Sequence, residues 1–125
     1  MSEHDTRLEG VWISNAKMTL SHLDSTKLLD RQRKFLDANL GELQFVFLGS
    51  RAAILFTSDK EQLPVFEEYE VIRSTRDSVS IKTKSGSEAT YYFVNDCMYL
   101  NAVWGYQEYF CRSETAYNTL VKRTR

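Results

Sequence analysis

From Gly41 onward, short apolar runs of period two alternate with turn residues about every ten positions, the pattern of an up-and-down antiparallel sheet. Leu43, Phe45 and Phe47 alternate with Gln44, Val46 and Leu48. Gly49-Ser50 turns the chain, and 52–57 returns. A polar loop, 58–64, leads to a longer run over 65–74 with Tyr69, Val71 and Ile72. After Arg76-Asp77, the residues Val79, Ile81 and Thr83 alternate with Ser78, Ser80 and Lys82, as in a half-buried strand. Ser85-Gly86-Ser87 and Asn95-Asp96 punctuate two further runs, 89–94 and 97–103. Gly105 precedes a last run, 106–112. With 8–14 at the start, the count reaches eight. Eight strands can close into a barrel, which removes exposed edges. The expected fold is mainly β: an antiparallel up-and-down barrel of about eight strands, with a helical segment between strands one and two.

That helical segment has its own signals. Residues 16–23 read as a short helical turn. Asp24 or Ser25 can then cap a helix in which Leu28, Leu29, Gln32, Phe35, Leu36, Asn39 and Leu40 fall mostly on one stripe. Gly41 can take the left-handed conformation that closes it. Both faces of strands two and three are apolar, so something must cover their outer side. The helix over 25–40 is the nearest candidate, and a second copy of the chain, as a homodimer, is the other.

A chain of 125 residues with 42% apolar content suits one domain with one core. The expected boundaries are a flexible arm at 1–8, the barrel at 9–113, and a solvated C-terminal tail or short helix at 114–125. A net charge of −1 gives no electrostatic reason to expect nucleic acid. No apolar run is long enough to span a bilayer, and the polar N-terminus has no signal-peptide core. A cytoplasmic location is the default expectation, with Cys97 and Cys111 as free thiols packed as small apolar groups. Neither cysteine has metal-ligand spacing, so no metal and no cofactor is expected.

The residues Gly10, Trp12 and Arg112 carry a family resemblance. Gly10-Val11-Trp12 on the first strand and Arg112 late in the last resemble the calycin group, which includes lipocalins and fatty-acid-binding proteins. The resemblance implies that the guanidinium lies across the indole at a closed barrel floor. The helical segment and short length are more similar to fatty-acid-binding proteins. Those proteins usually end in an Arg-x-Tyr that grips a carboxylate. The order here is Tyr109-Phe110-Cys111-Arg112, so that anchor is not carried over.

Tyr69, Tyr91, Tyr92, Tyr99, Tyr106 and Tyr109 all fall on expected strands. Inside a barrel they suit an amphipathic small molecule, or they simply fill the interior. The expected ligand wall is Phe45, Phe47, Tyr69, Tyr91, Phe93 and Tyr99, with Gly10, Trp12 and Arg112 as a structural floor. Glu67, Glu68 and Glu70 offer an acidic surface to a basic protein partner; a solvated exterior is the plainer reading. Glu108 faces inward if Arg112 does, and would then be a carboxyl with a raised pKa; a rim position is the alternative. His4 and His22 have no catalytic companion, and no nucleophile elbow or phosphate loop occurs. No catalytic residue is expected. The primary expectation is a small protein binding an apolar or amphipathic molecule. A filled barrel acting as an inhibitor or immunity-type interaction module is the second reading. A barrel cyclase or isomerase using Glu108 and a tyrosine is the third.

Overall fold

A computed structural model describes residues 5–59, 61, 63–101 and 106–124. The first residues of the expected arm with His4, the end of the seventh expected strand at 102–103, Gly105 and Arg125 lie outside them. The chain forms β1 (Gly10–Ser14), α1 (Ala16–Ser21), a 3-10 turn (Ser25–Lys27), α2 (Asp30–Asn39), β2 (Leu43–Leu48), β3 (Arg51–Phe56), β4 (Glu67–Ser74), β5 (Ser78–Thr83), β6 (Glu88–Val94), β7 (Cys97–Asn101), β8 (Gln107–Arg112) and α3 (Glu114–Thr124). The eight strands close into an antiparallel barrel in chain order, β8 returning to β1 with Trp12 opposite Arg112.

Alternation along each strand divides lumen from exterior. Trp12, Phe47, Tyr69, Val71, Val79, Ile81, Tyr91, Met98 and Phe110 form the buried inner cluster, joined by Leu8 from the segment before β1. Burying each of the larger side chains contributes about 1.5–3 kcal/mol, which makes this ring-rich interior the main source of stability. Phe47 meets Tyr69 and Tyr91 edge-on, each at 5.6 Å. Phe45 meets Tyr91 at 5.7 Å and Phe110 at 4.6 Å. The rings therefore fill much of the barrel.

A second apolar cluster lies outside the wall. Val11, Val46 and Ala53 pack with Leu120 of α3, and Ile13, Leu48, Leu55, Phe66, Ala116 and Tyr117 surround them. Among the described residues the cover of β1–β3 is thus the C-terminal helix α3 rather than the segment over 25–40. Of the expected tail or short helix at 114–125, residues Glu114–Thr124 form the helix α3, on which Leu120 is buried rather than solvated.

The expected helix over 25–40 is broken into two pieces. Asp24 Oδ1 accepts from the Thr26 amide and hydroxyl, which caps the short 3-10 turn. The longer helix then restarts at Asp30, where the Gln32 side chain accepts from the Leu29 amide. Leu36 is its one buried residue, and Phe35 and Leu29 stay exposed. Gly41 closes it with a φ of +90°.

The expectation of free thiols is also corrected. The β7–β8 register sets Cys97 directly opposite Cys111, and the two form a disulfide. Their spacing along the chain hid this, because a hairpin folds the two positions together. Among the described residues no helix is long and apolar enough to cross a membrane.

Candidate functional site

The barrel wall has one thin join. Among the described residues, only Arg51–Glu68 and Ala52–Glu67 pair β3 with β4, whereas every other neighbouring pair of strands shares three or more positions. Pro64 explains where pairing stops. It has no backbone N–H to offer a ladder, so β4 begins at Glu67 rather than at the expected Val65. Beyond Ala52 no further β3–β4 pairing occurs among the described residues. Ile54, whose alternation points it inward, is consequently 54% exposed, and Val65 is 87% exposed.

The opening leads into a cleft of about 290 Å³. Phe45, Phe47, Ile81 and Tyr91 form its inner wall; Ala52, Ile54, Val65, Glu67 and Thr83 form its rim. Its size is near the lower end for small-molecule sites, and the lining is predominantly apolar, as such sites require. The Tyr91 ring is buried, and its hydroxyl makes no hydrogen bond to a described residue. Burial raises the Tyr91 pKa, so the group stays a neutral phenol. Glu67 accepts the Ser85 amide at 2.6 Å, and hydrogen bonds from Ser85 hold its carboxyl below the usual range.

A second polar feature lies one layer further along the lumen. Glu108 stands two residues before Phe110 on the same face of β8 and is 7% exposed. Its Oε2 accepts the Ser14 hydroxyl at 2.8 Å, and Ser14 Oγ accepts the Gly41 amide at 3.0 Å. The α2–β2 junction thereby fixes the carboxyl. Burial pushes its pKa up, and the Ser14 bond partly opposes the rise. Tyr106 is buried beside it, and burial together with the Glu108 charge pushes that phenol up to about 12.

At the opposite end lies the floor. The Arg112 guanidinium is 4.3 Å from the centre of the Trp12 ring and donates to the backbone carbonyls of Glu9 and Arg7. Gly10 has a φ of +135° and lies against Arg112 Nη1. The indole N–H donates to the Leu8 carbonyl at 2.8 Å. Arg7 is tied to Asp5 and to the Thr75 and Arg76 carbonyls, which joins the first segment to the β4–β5 turn.

The residues named from the sequence divide among these places. Phe45, Phe47 and Tyr91 meet in the cleft. Tyr69 is in the inner cluster against Phe47, but its hydroxyl is used on the Gly49 carbonyl; burial, then the Glu9 charge, raises its pKa to about 12. Phe93 lies at the floor, under Arg7 and beside Trp12. Tyr99 is on the outer wall, in a row with Tyr92, Tyr109 and His22, its ring centres 5.0 and 5.1 Å from those of Tyr92 and Tyr109. Glu67, Glu68 and Glu70 do not share one face: Glu67 is at the cleft rim, while Glu68 and Glu70 line an outer groove with Lys82 and Lys84. The sequence did not point to Ala52, Ile54 or Val65. The available signal was Pro64 after a polar loop, which weakens one strand pairing.

Comparison with protein-family models, with curated proteins and with solved structures finds no match to this chain. The functional reading therefore rests on the geometry alone.

Proposed function

We propose that this chain is a calycin-like binding protein that holds an apolar or amphipathic small molecule in the barrel and admits it between β3 and β4. The observation that carries the reading is the cleft at the thin join, where the buried Phe47 and Tyr91 rings and the partly buried Phe45 ring are reached from outside through a mainly apolar rim. Desolvating an apolar chain against Phe45, Phe47 and Tyr91 supplies the affinity. The tyrosine hydroxyl supplies an orienting polar contact. The floor made by Trp12 and Arg112, together with the helices between β1 and β2, supports the calycin-like assignment. An interaction module based on one acidic surface receives less support, since the three glutamates are split and two are accompanied by lysines.

The test is titration with the neutral dye Nile red. The wild-type chain should bind it with low-micromolar affinity, and Ala52→Trp, which fills the cleft rim, should weaken binding by about tenfold or more. Circular dichroism would establish that the variant is folded. Binding unchanged by Ala52→Trp would reject this site, and no binding of Nile red or of any neutral amphiphile would reject the reading.

A further inference from the structure

Two tyrosines belong to the buried inner cluster, Tyr69 and Tyr91, and their hydroxyls differ. The Tyr69 hydroxyl donates to the Gly49 carbonyl at 2.8 Å. The Tyr91 hydroxyl makes no hydrogen bond to a described residue, although Tyr91 is only 4% exposed. Among the described residues no side-chain nitrogen or oxygen is both shut off from solvent and without a partner. The Tyr91 hydroxyl is therefore not sealed into the packing. It opens onto free space, and the cleft between β3 and β4 is the space that Tyr91 lines.

The other polar groups described around that cleft are engaged elsewhere. The Thr83 hydroxyl bonds with Ser85 and Ser87. Glu67 accepts the Ser85 amide at the rim, and the bonds from Ser85 keep its carboxyl ionised. Phe45, Phe47 and Ile81 complete the inner wall around the Tyr91 phenol. A guest that fills this space strips water from the phenol. A hydrocarbon guest then leaves an O–H donor unmet, which offsets part of what burying the guest gains. A guest with an acceptor oxygen at that depth meets the donor. An ionic head group is disfavoured there, because it must shed its hydration against apolar walls. An anion must also pass the Glu67 carboxylate.

Resting on the reading of the barrel as a small-molecule binder, we infer that the ligand of this cleft is an uncharged molecule with a carbonyl oxygen (a ketone, aldehyde or ester) that accepts a hydrogen bond from the Tyr91 hydroxyl. Its apolar part lies against Phe45, Phe47 and Ile81 and leaves through the rim at Ile54 and Val65. Tyr91 thus selects by what it donates to, and Glu67 selects against acids at the entrance.

Calorimetric titration with benzylacetone, butylbenzene, hydrocinnamate and phenylpropylamine tests this. The four have nearly the same shape and differ only beyond a common phenylethyl group: ketone, hydrocarbon, carboxylate and ammonium. The wild-type chain should bind benzylacetone about tenfold or more tighter than either charged probe at neutral pH. Tyr91→Phe should weaken benzylacetone about five- to tenfold and leave butylbenzene unchanged or slightly tighter. The carbonyl stretch of bound benzylacetone should lie at lower frequency in the wild-type chain than in the variant. Tyr91→Phe keeps the ring and removes an oxygen bonded to no described residue, so it is expected to fold. The wild-type contrast between neutral and charged probes is decisive even if it does not. Equal effects on benzylacetone and butylbenzene in folded Tyr91→Phe overturn this inference alone. Tighter binding of a charged probe by the wild-type chain does the same, as does failure of all four where Nile red binds. Failure of Nile red and of all four overturns the binding-protein reading and this inference with it.

Discussion

Replacing Gly10 by alanine probes the floor of the barrel at its most crowded point. A Cβ there would stand 2.8 Å from Arg112 Nη1, and the backbone φ of +135° is one that residues with side chains rarely adopt. Holding alanine in that conformation costs about 1–3 kcal/mol. The guanidinium must also shift, which weakens its bonds to the Glu9 and Arg7 carbonyls and its seat over Trp12. Because Arg112 is exposed, these contributions are at the lower end of their ranges, about 1 kcal/mol for the bonds and about 1 kcal/mol for the ring contact. The total expected for Gly10→Ala is about 3–5 kcal/mol. Arg112→Met alone should cost about 2 kcal/mol. In the double variant the guanidinium is already gone, so only the backbone strain is added, and the combined cost falls about 2 kcal/mol short of additivity. Urea unfolding followed by far-ultraviolet circular dichroism measures all four states, with an unchanged m-value as the control for two-state behaviour. A Gly10→Ala cost below about 0.5 kcal/mol, or strict additivity in the double variant, would refute the reasoning.

Other perturbations test separate parts of the fold. Cys97→Ser removes a cross-link closing a loop of sequence separation 14 and should cost about 3 kcal/mol, a loss that reductant reproduces in the wild-type chain and leaves unchanged in the variant. Leu120→Ala withdraws the buried contact between α3 and the outer face of β1 and β2; a loss of about 2–5 kcal/mol by urea unfolding is expected, and a near-neutral result would mean that α3 does not seal that face. Glu108→Gln separates charge from shape. Burial raises the native pKa of Glu108 above its unfolded value, so the folded chain binds more protons in the window between the two, and stability falls as pH rises through it. The variant should therefore be more stable than wild type at pH 7, the difference vanishing once the pH is below the ordinary carboxylate range. Thermal melts across that range would contradict the burial argument if the difference stayed constant.

The strand order was legible because each hairpin turn is local and the inward positions announce themselves by alternation. Val79, Ile81 and Thr83 carry that signal in six consecutive residues. Trp12 and Arg112 were legible as a pair through resemblance, and their register opposite one another follows from closure. What the sequence hid depends on pairing between distant segments. The Cys97–Cys111 bond is a property of the β7–β8 register, and a shift of one residue would have separated the sulfurs onto opposite faces. Tyr99 was placed in the ligand wall by composition, but Met98 and Leu100 take the inward positions of β7 and leave it outside. The helix over 25–40 looked like a cover because of its apolar stripe. Only three dimensions reveal that α3 reaches the outer face of β1 and β2 first. Part of the cleft was named through Phe45, Phe47 and Tyr91, while its rim arises from a pairing that fails, and missing hydrogen bonds leave little trace in residue type.

A ring of eight staves held at one place by two clasps has a preferred line of parting. Local openings of a native protein begin where the fewest bonds must break, so the Ala52–Glu67 amides should exchange hydrogen faster than those of any other seam. A guest broader than the resting gap would then be taken up at the frequency with which that seam breathes. Its capture would slow steeply on cooling while its final affinity barely changed, and the wall would select guests by timing as well as by shape.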